Sequence, residues 1–391
     1  MARKTEALLL PVLAALCLLC ACGGPSNAPA APPLPTAEPR LAATPDPTPA
    51  ATPDPTPAPS PTPTEWSLNG ESAEEILALG SIPGLRRIDA AGSREYAALR
   101  RLRELLPDCE IRWTVPLQGV DYPDDAETLV LSSTEGLEQA MAGLPELKTV
   151  DLRSCEPEIG LMDRLYEDYP DVEFLWRFTF GQEGHKQWTV SSDCSCFSSL
   201  WTGSEAYRYT EEDYYPLLRF CRHLRALDLG HSDIGDVSLI GQLRELQVLI
   251  LADNPRITDI SPLENLHELM YLELFLCCDI EDFSCLFSMP KMMDLNLSYC
   301  RNLEDVSFID SMPDFRSGWF RNSKVTWAMV KPYLDSRGQE LRFVVGSPAD
   351  LSSIYGGWRD TERSRAIRKA FLHWKEVEDF RSWDDVVYRS R

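Results

Sequence analysis

Aliphatic residues in the second half of the chain recur in one fixed grouping. Leu224-Arg-Ala-Leu227-Asp-Leu229 is followed by Leu246-Gln-Val-Leu249-Ile-Leu251, Leu269-Met-Tyr-Leu272-Glu-Leu274 and Met292-Met-Asp-Leu295-Asn-Leu297. The groups open at positions 224, 246, 269 and 292, a step of 22 and then twice 23 residues. Three places beyond each group stands Ser232, Asn254, Cys277 or Cys300. A second grouping keeps the period: Ile234-Gly-Asp236-Val237-Ser238, Ile257-Thr-Asp259-Ile260-Ser261, Ile280-Glu-Asp282-Phe283-Ser284 and Leu303-Glu-Asp305-Val306-Ser307. Agreement in two separate halves of four units predicts stacked turns, none of which can bury its aliphatic face alone. The leucine positions are expected to point inward and form one row. The Asn-type residue is expected at an inward bend, satisfying free backbone groups, and the Asp-x-Ser segment at a tight polar return on the convex side.

Upstream the pattern loosens into a unit of about 62 residues. Ile82-Pro-Gly-Leu85-Arg-Arg-Ile88-Asp89 matches Leu144-Pro-Glu-Leu147-Lys-Thr-Val150-Asp151, and Pro107-Asp-Cys-Glu-Ile111-Arg-Trp113 matches Pro170-Asp-Val-Glu-Phe174-Leu-Trp176. Each unit reads as strand, helix, strand. The spacing predicts helices over Tyr96–Leu106 and Leu161–Tyr169, each ending before a proline. Thr128–Leu131 reads as a further partial strand. Beyond Phe315 the leucines fade, with a helix expected over Val325–Leu334 and a strand over Leu341–Val345. Thr361 to about Val377 reads as a charged amphipathic helix with Ile367, Phe371 and Trp374 on one side, suited to cap an open solenoid end.

The short period resembles the leucine-rich repeats of bacterial internalin-like surface proteins. That resemblance implies an α/β leucine-rich-repeat solenoid with parallel concave strands, irregular N-terminal repeats and a C-terminal helical cap. The organisation expected is irregular repeats over residues 66–200, regular repeats over 201–323 and the cap over 324–391, with a separate α/β domain as the alternative for 66–200. The resemblance also implies a macromolecular partner, protein or glycan, bound on the concave face.

Strand alternation sends the residues between the leucines to that face. Among them and just beyond, Val248, Ile250, Met270, Tyr271, Glu273, Phe275, Met293 and Tyr299 are the candidate partner-binding residues, since exposed aromatic and Met side chains together favour association. The competing expectation is that flanking loops or the C-terminal helix cover the patch. Asp228, Glu273 and Asp294 around it call for a neutral or basic partner.

The first residues differ in kind. Arg3 and Lys4 precede an apolar run from Ala7 to Ala21 that is short for a membrane span and contains Pro11. This is the layout of a secretory signal over residues 1–21. Its end, Leu19-Cys20-Ala21-Cys22-Gly23-Gly24, resembles the bacterial lipobox, which implies lipidation of Cys22; cleavage of an ordinary signal near Ala21 is the alternative. Two acyl chains supply the double signal that stable anchoring needs. Residues 22–65 form the anchor and a proline-rich stalk, with Thr-Pro-Asp-Pro-Thr-Pro-Ala at Thr44–Ala50 and Thr52–Ala58. Proline lacks a backbone donor, so this segment is expected to run as polyproline II. At about 3.1 Å per residue, roughly 40 residues reach on the order of 120 Å.

Composition narrows the chemistry. Thirty-eight Lys and Arg against 61 Asp and Glu give a net charge of −23, which repels nucleic acid and anionic lipid, leaving the Cys22 lipid as the expected membrane contact. No metal site is expected: the five histidines lack ligand spacing, and Asp193-Cys194-Ser-Cys196 has no second ligand pair. Nine cysteines remain beyond Cys22, and Cys155, Cys277 and Cys300 fall at inward repeat positions, as core thiols. No nucleophile or phosphate-cradling motif stands out. The expectation is therefore a binding protein without cofactor and not an enzyme, with an envelope enzyme centred on residues 178–215, or a structural spacer, as alternatives.

Overall fold

The computed structural model describes residues 64–181, 187–199, 208–337, 341–346 and 362–373. The signal segment, Cys22, the stalk before residue 64 and the part of the expected terminal helix beyond His373 lie outside the described residues.

Two similar units open the folded body. The first runs β1 (Glu65–Ser67), α1 (Ala73–Ala78), β2 (Arg87–Asp89), α2 (Tyr96–Leu105) and β3 (Glu110–Arg112), its three strands parallel in the order β1-β2-β3. The hairpin β4 (Thr114–Leu117) and β5 (Val120–Pro123) follows. The second unit repeats the plan: β6 (Thr128–Val130), α3 (Leu137–Met141), β7 (Thr149–Asp151), α4 (Ile159–Asp168) and β8 (Glu173–Leu175), then the hairpin β9 (Arg177–Phe180) and β10 (Trp188–Ser191). The middle residues of β2, β3, β6, β7 and β8, such as Ile88, Val150 or Phe174, are buried, and Trp66 of β1 is partly buried. Leu99 and Leu102 of α2, and Leu161, Met162 and Leu165 of α4, face the same interior at helical spacing. The sequence reading missed both hairpins. The first turns on Gln118 and Gly119, both at positive φ (54° and 80°), as a two-residue connection matching strand twist requires.

Seven parallel strands then form one sheet in chain order: β11 (Cys196–Ser198), β12 (Ala226–Asp228), β13 (Val248–Ile250), β14 (Tyr271–Glu273), β15 (Asp294–Asn296), β16 (Ser317–Arg321) and β17 (Arg342–Gly346). Its register places Leu227 opposite Leu249, Leu249 opposite Leu272 and Leu272 opposite Leu295, the expected single inward row. All four are fully buried. Each such leucine contributes about 1.5–3 kcal/mol, so the row alone is comparable with the net stability of a domain. Between strands the chain returns through short 3-10 segments, for example Ser261–Asn265 and Ser284–Ser288.

The polar positions hold the turns as expected. Asn254 donates from Nδ2 to the carbonyls of Leu229 and Leu251, both at 3.0 Å, while its Oδ1 accepts from the Ile234 N–H at 3.0 Å. Cys277 and Cys300 donate only once each, to Leu251 O at 3.3 Å and Leu274 O at 3.5 Å. On the convex side Asp236, Asp259, Asp282 and Asp305 each accept the N–H of the serine two residues on, at 2.8–2.9 Å.

One feature recurs that was not expected. His231, Asp253, Leu276, Tyr299 and Asn322 take φ of 58°, 57°, 65°, 71° and 53°, one per turn just after the strand. This left-handed region is costly for branched or bulky side chains. Each of these N–H groups donates to a carbonyl of the following turn, those of Ala252, Phe275, Ser298, Arg321 and Gly346, at 2.6–3.2 Å.

A single apolar core runs from Leu68 to Phe343, although the parallel pairing is interrupted at both hairpins. The last turn is closed by α6 (Trp327–Arg337), whose Val330 is buried and whose Arg337 donates to Ile309 O and Met312 O at 2.8 Å. The body is an α/β leucine-rich-repeat solenoid with a helical end. The amphipathic helix expected after residue 361 is α7 (Glu362–His373), and it lies elsewhere, across the concave strands.

Candidate binding surface

The concave side of the seven-stranded sheet is built by the odd members of each strand. Ala226, Val248, Tyr271 and Asp294 lie side by side at one level, and Asp228, Ile250, Glu273 and Asn296 at the next. Of the two expectations for this patch, exposure to solvent is corrected by the structure and cover by the C-terminal helix is what it shows. Val248, Ile250, Met270, Tyr271, Glu273, Phe275 and Met293 are all buried, between 1% and 9% exposed. Tyr299 is partly buried, packed edge-on against Phe275 with ring centroids 5.5 Å apart.

The cover is α7. Its Arg363 contacts β15 through Asp294, and the helix reaches β11 at its other end. Twelve residues of α-helix measure about 18 Å. Four strand spacings measure about 19 Å, so the helix spans this width. Ser364, Ile367 and Phe371, at helical spacing, are buried against the sheet, whereas Arg365 and Lys369 face solvent. Ile367 and Phe371 join Ala226, Val248, Ile250, Tyr271, Phe275 and Trp319 in an apolar cluster separate from the main core.

Charge is matched across the contact. Arg363 Nε lies 2.9 Å from Asp294 Oδ2, and Arg368 Nη2 lies 4.0 Å from Glu273 Oε2. Tyr271 OH lies 3.4 Å from Glu273 Oε2 and 3.5 Å from Ser364 Oγ. Asp228 accepts from Ser198 Oγ at 2.9 Å and from the Gly230 N–H at 3.0 Å. Burial pushes the carboxyls of Asp228 and Asp294 above the usual aspartate range, with the arginines Arg368 and Arg363 pulling the other way. The fit is incomplete. Gln247 Oε1 and Arg368 Nε are buried without a hydrogen-bond partner among the described residues. A void of about 10 Å³ remains among Val248, Met270, Met293, Arg363 and Ile367.

The N-terminal sheets are dressed differently. There the outward neighbours of the buried strand centres, Arg87, Asp89, Glu110, Arg112 and Thr128, are exposed, and Val130 stands 70% exposed. A cleft of about 280 Å³ opens beside β8, lined by Tyr166, Glu173, Ser192, Asp193, Arg222 and His223. Arg222 stacks over the Tyr166 ring at 4.1 Å.

Chemistry at the other candidate places is limited. Within residues 178–215, of which 182–186 and 200–207 lie outside the described residues, Phe180, Trp188, Phe197, Tyr209 and Tyr214 pack on one another with centroids 4.7–6.4 Å apart. They form core rather than a polar pocket. Burial pushes the thiols of Cys277 and Cys285 up to about 12 and raises Cys196, Cys221 and Cys300 as well, so these are protonated, inert side chains at neutral pH. Among the described residues no group of three His, Cys, Asp or Glu could hold a metal ion, and no helix is long and apolar enough to cross a membrane.

Residues 220–241 match the Leucine Rich repeat family. No curated protein matches the chain by sequence. Among solved structures the chain is similar to the internalin InlF of Listeria monocytogenes, at 15% identity over 73% of this chain and 67% of that one, with a TM-score of 0.30. It is similar to internalin C2 of the same organism, at 18% identity over 57% and 80% of the two chains, TM-score 0.28. It is also similar to the functional domain of InlJ, again from Listeria monocytogenes, which includes a cysteine ladder, at 12% identity over 71% and 62%, TM-score 0.29. The fold assignment rests on this chain's own repeats and strand register.

Proposed function

We propose that this chain is a binding module held outside the bacterial cytoplasm by a lipid on Cys22 and raised on the stalk before residue 64. Its partner is a macromolecule, protein or glycan, met on the concave side of the solenoid. The observation that carries the reading is the second apolar cluster. Tyr271, Phe275, Val248 and Ile250 point away from the core that holds the turns together, and among the described residues α7 is what packs over them. Leucine-rich-repeat folds are typically scaffolds for binding.

Two experiments test it. Cys22→Ser should move the chain from the detergent phase to the aqueous phase; unchanged partitioning contradicts the anchor. The body from residue 64 onward, immobilised and offered envelope and surface extracts, should retain an identifiable partner. Loosening α7 by Ile367→Asp with Phe371→Asp should increase that retention. Equal retention by both forms would place the contact off the concave face, and no specific retention by either would overturn the binding reading.

A further inference from the structure

We infer that the concave face is a receptor for a cationic amphipathic helix, that α7 is the occupant supplied in cis, and that the partner in trans is a protein presenting a helix of the same pattern. This rests on the binding reading above and names the partner class.

The pattern is read from α7 itself. Counting Arg363 as its first position, an arginine at one and six grips Asp294 and Glu273, while Ile367 at five and Phe371 at nine enter the apolar cluster. Positions three and four apart on a helix share a face, and Arg363, Ile367 and Phe371 stand four apart with Arg368 three before Phe371, so one stripe delivers all four groups. The chain as a whole carries a net charge of −23, yet α7 holds Arg363, Arg365, Arg368 and Lys369 against the single acid Glu362. The acids on the sheet side are just as unusual in place. Glu273 and Asp294 are only 3% exposed on a face where the turns need no charge for their own packing. Buried carboxylates are tolerated where cations meet them, so this face is specified for a basic visitor.

The occupant in cis is replaceable. A helix of twelve residues has little stability of its own and depends on docking. Its docking leaves Arg368 Nε and Gln247 Oε1 without a hydrogen-bond partner among the described residues, a 4.0 Å contact from Arg368 to Glu273 and a small void. Fifteen residues, 347–361, separate α7 from β17 along the chain. A foreign helix that satisfies those atoms competes on better terms than α7.

The test uses labelled peptides and the mature chain. One peptide reproduces residues 360–375. A second has unrelated sequence but keeps Arg, Ile, Arg and Phe at positions one, five, six and nine. Both should bind the Ile367→Asp, Phe371→Asp chain saturably, and at least tenfold more weakly to the native chain, where α7 competes. Reversing both peptide arginines to Glu should cost at least tenfold. An Arg363→Glu, Arg368→Glu chain, which leaves the apolar contacts in place, should also bind both peptides more tightly than the native chain. Near-ultraviolet circular dichroism of each variant confirms that the solenoid is intact. No saturable binding to either intact variant overturns the helix-receptor proposal. If partner capture by the body persists in that case, the binding reading stands alone; if capture also fails, both fall. A dimer of the native chain that the first peptide dissolves would make a second copy the occupant and would overturn the foreign partner.

Discussion

On the N-terminal sheets, Arg87, Asp89, Glu110 and Arg112 flank Ile88 and Ile111 and stand in water. In the seven-stranded sheet the equivalent places hold Val248, Ile250, Tyr271 and Glu273, and all are buried. The strands β2, β3, β13 and β14 are each three residues long, parallel to their neighbours and centred on a buried apolar residue. The difference lies in what meets the outward side chains: solvent in one region, α7 in the other. Alternation therefore decides which side chains leave the core and is silent about their destination. The returns differ too. The 62-residue units cross back through α-helices such as α2 and α4, the 23-residue turns through short 3-10 segments, and the longer units end in hairpins that interrupt the pairing.

The comparison can be broken at its common element first. Leu272→Ala in the seven-stranded sheet should cost about 3–5 kcal/mol, and Val150→Ala in β7 about 1–3 kcal/mol. Denaturant unfolding followed by fluorescence and by far-ultraviolet circular dichroism reads both. If the core is as continuous as it looks, each variant shifts one shared transition; separate transitions would divide the two regions thermodynamically.

The inward bend gives the next largest effect. Asn254→Ala strands two carbonyls and the Ile234 N–H, and should cost about 2–3 kcal/mol. Cys277→Ala removes one weak thiol hydrogen bond and should cost about 1 kcal/mol. Equal losses would show that the amide acts by filling space.

Acid should separate concave from convex. The carboxyls of Asp228 and Asp294 are raised on burial, so their contribution is fully present below the ordinary value of 3.8 and is lost as pH rises through the raised values. Asp294 faces Arg363, Arg316 and Ser317; Asp228 faces Ser198, the Gly230 N–H, Arg368 and His231. Asp259 and Asp305 are lowered by the serine N–H and hydroxyl groups, so their contribution is present above 3.8 and lost as pH falls through the lowered values. Amide exchange in α7, corrected for intrinsic rate, should slow as pH falls through the raised values of Asp228 and Asp294, and faster exchange there would contradict the sign. The smallest change is expected on the open side: Lys148→Met should remove the exposed ion pair to Glu127, 2.6 Å long, and alter stability by less than about 1 kcal/mol.

Much of the fold was legible because repetition samples one physical problem several times. The leucine row, the Asn and Cys bends and the Asp-Ser returns each recur, and each sits where the pattern put it. The hairpins recur only twice, from Thr114 and from Arg177, and their sequences do not repeat, although Gln118-Gly119 between Val115, Leu117 and Tyr122 was a local turn signal. The cover was hardest to see. A contact between residues 294 and 363 is set by the path of the whole chain. Its trace was a change in polarity: outward positions that hold Arg and Asp in β2 and β3 hold Val, Ile and Tyr in β13 and β14. That switch marks where water gives way to protein.

The left-handed corner residues bear on how the molecule is made. Leu276 and Tyr299 are held there by carbonyls of Ser298 and Arg321, which belong to coils translated later. As the chain emerges, each corner must wait in a relaxed shape for the next coil, and only Gly346 lets Asn322 settle. Assembly therefore latches from behind, and a chain cut short before β17 would keep its last corner unlocked however many leucines it had already gathered.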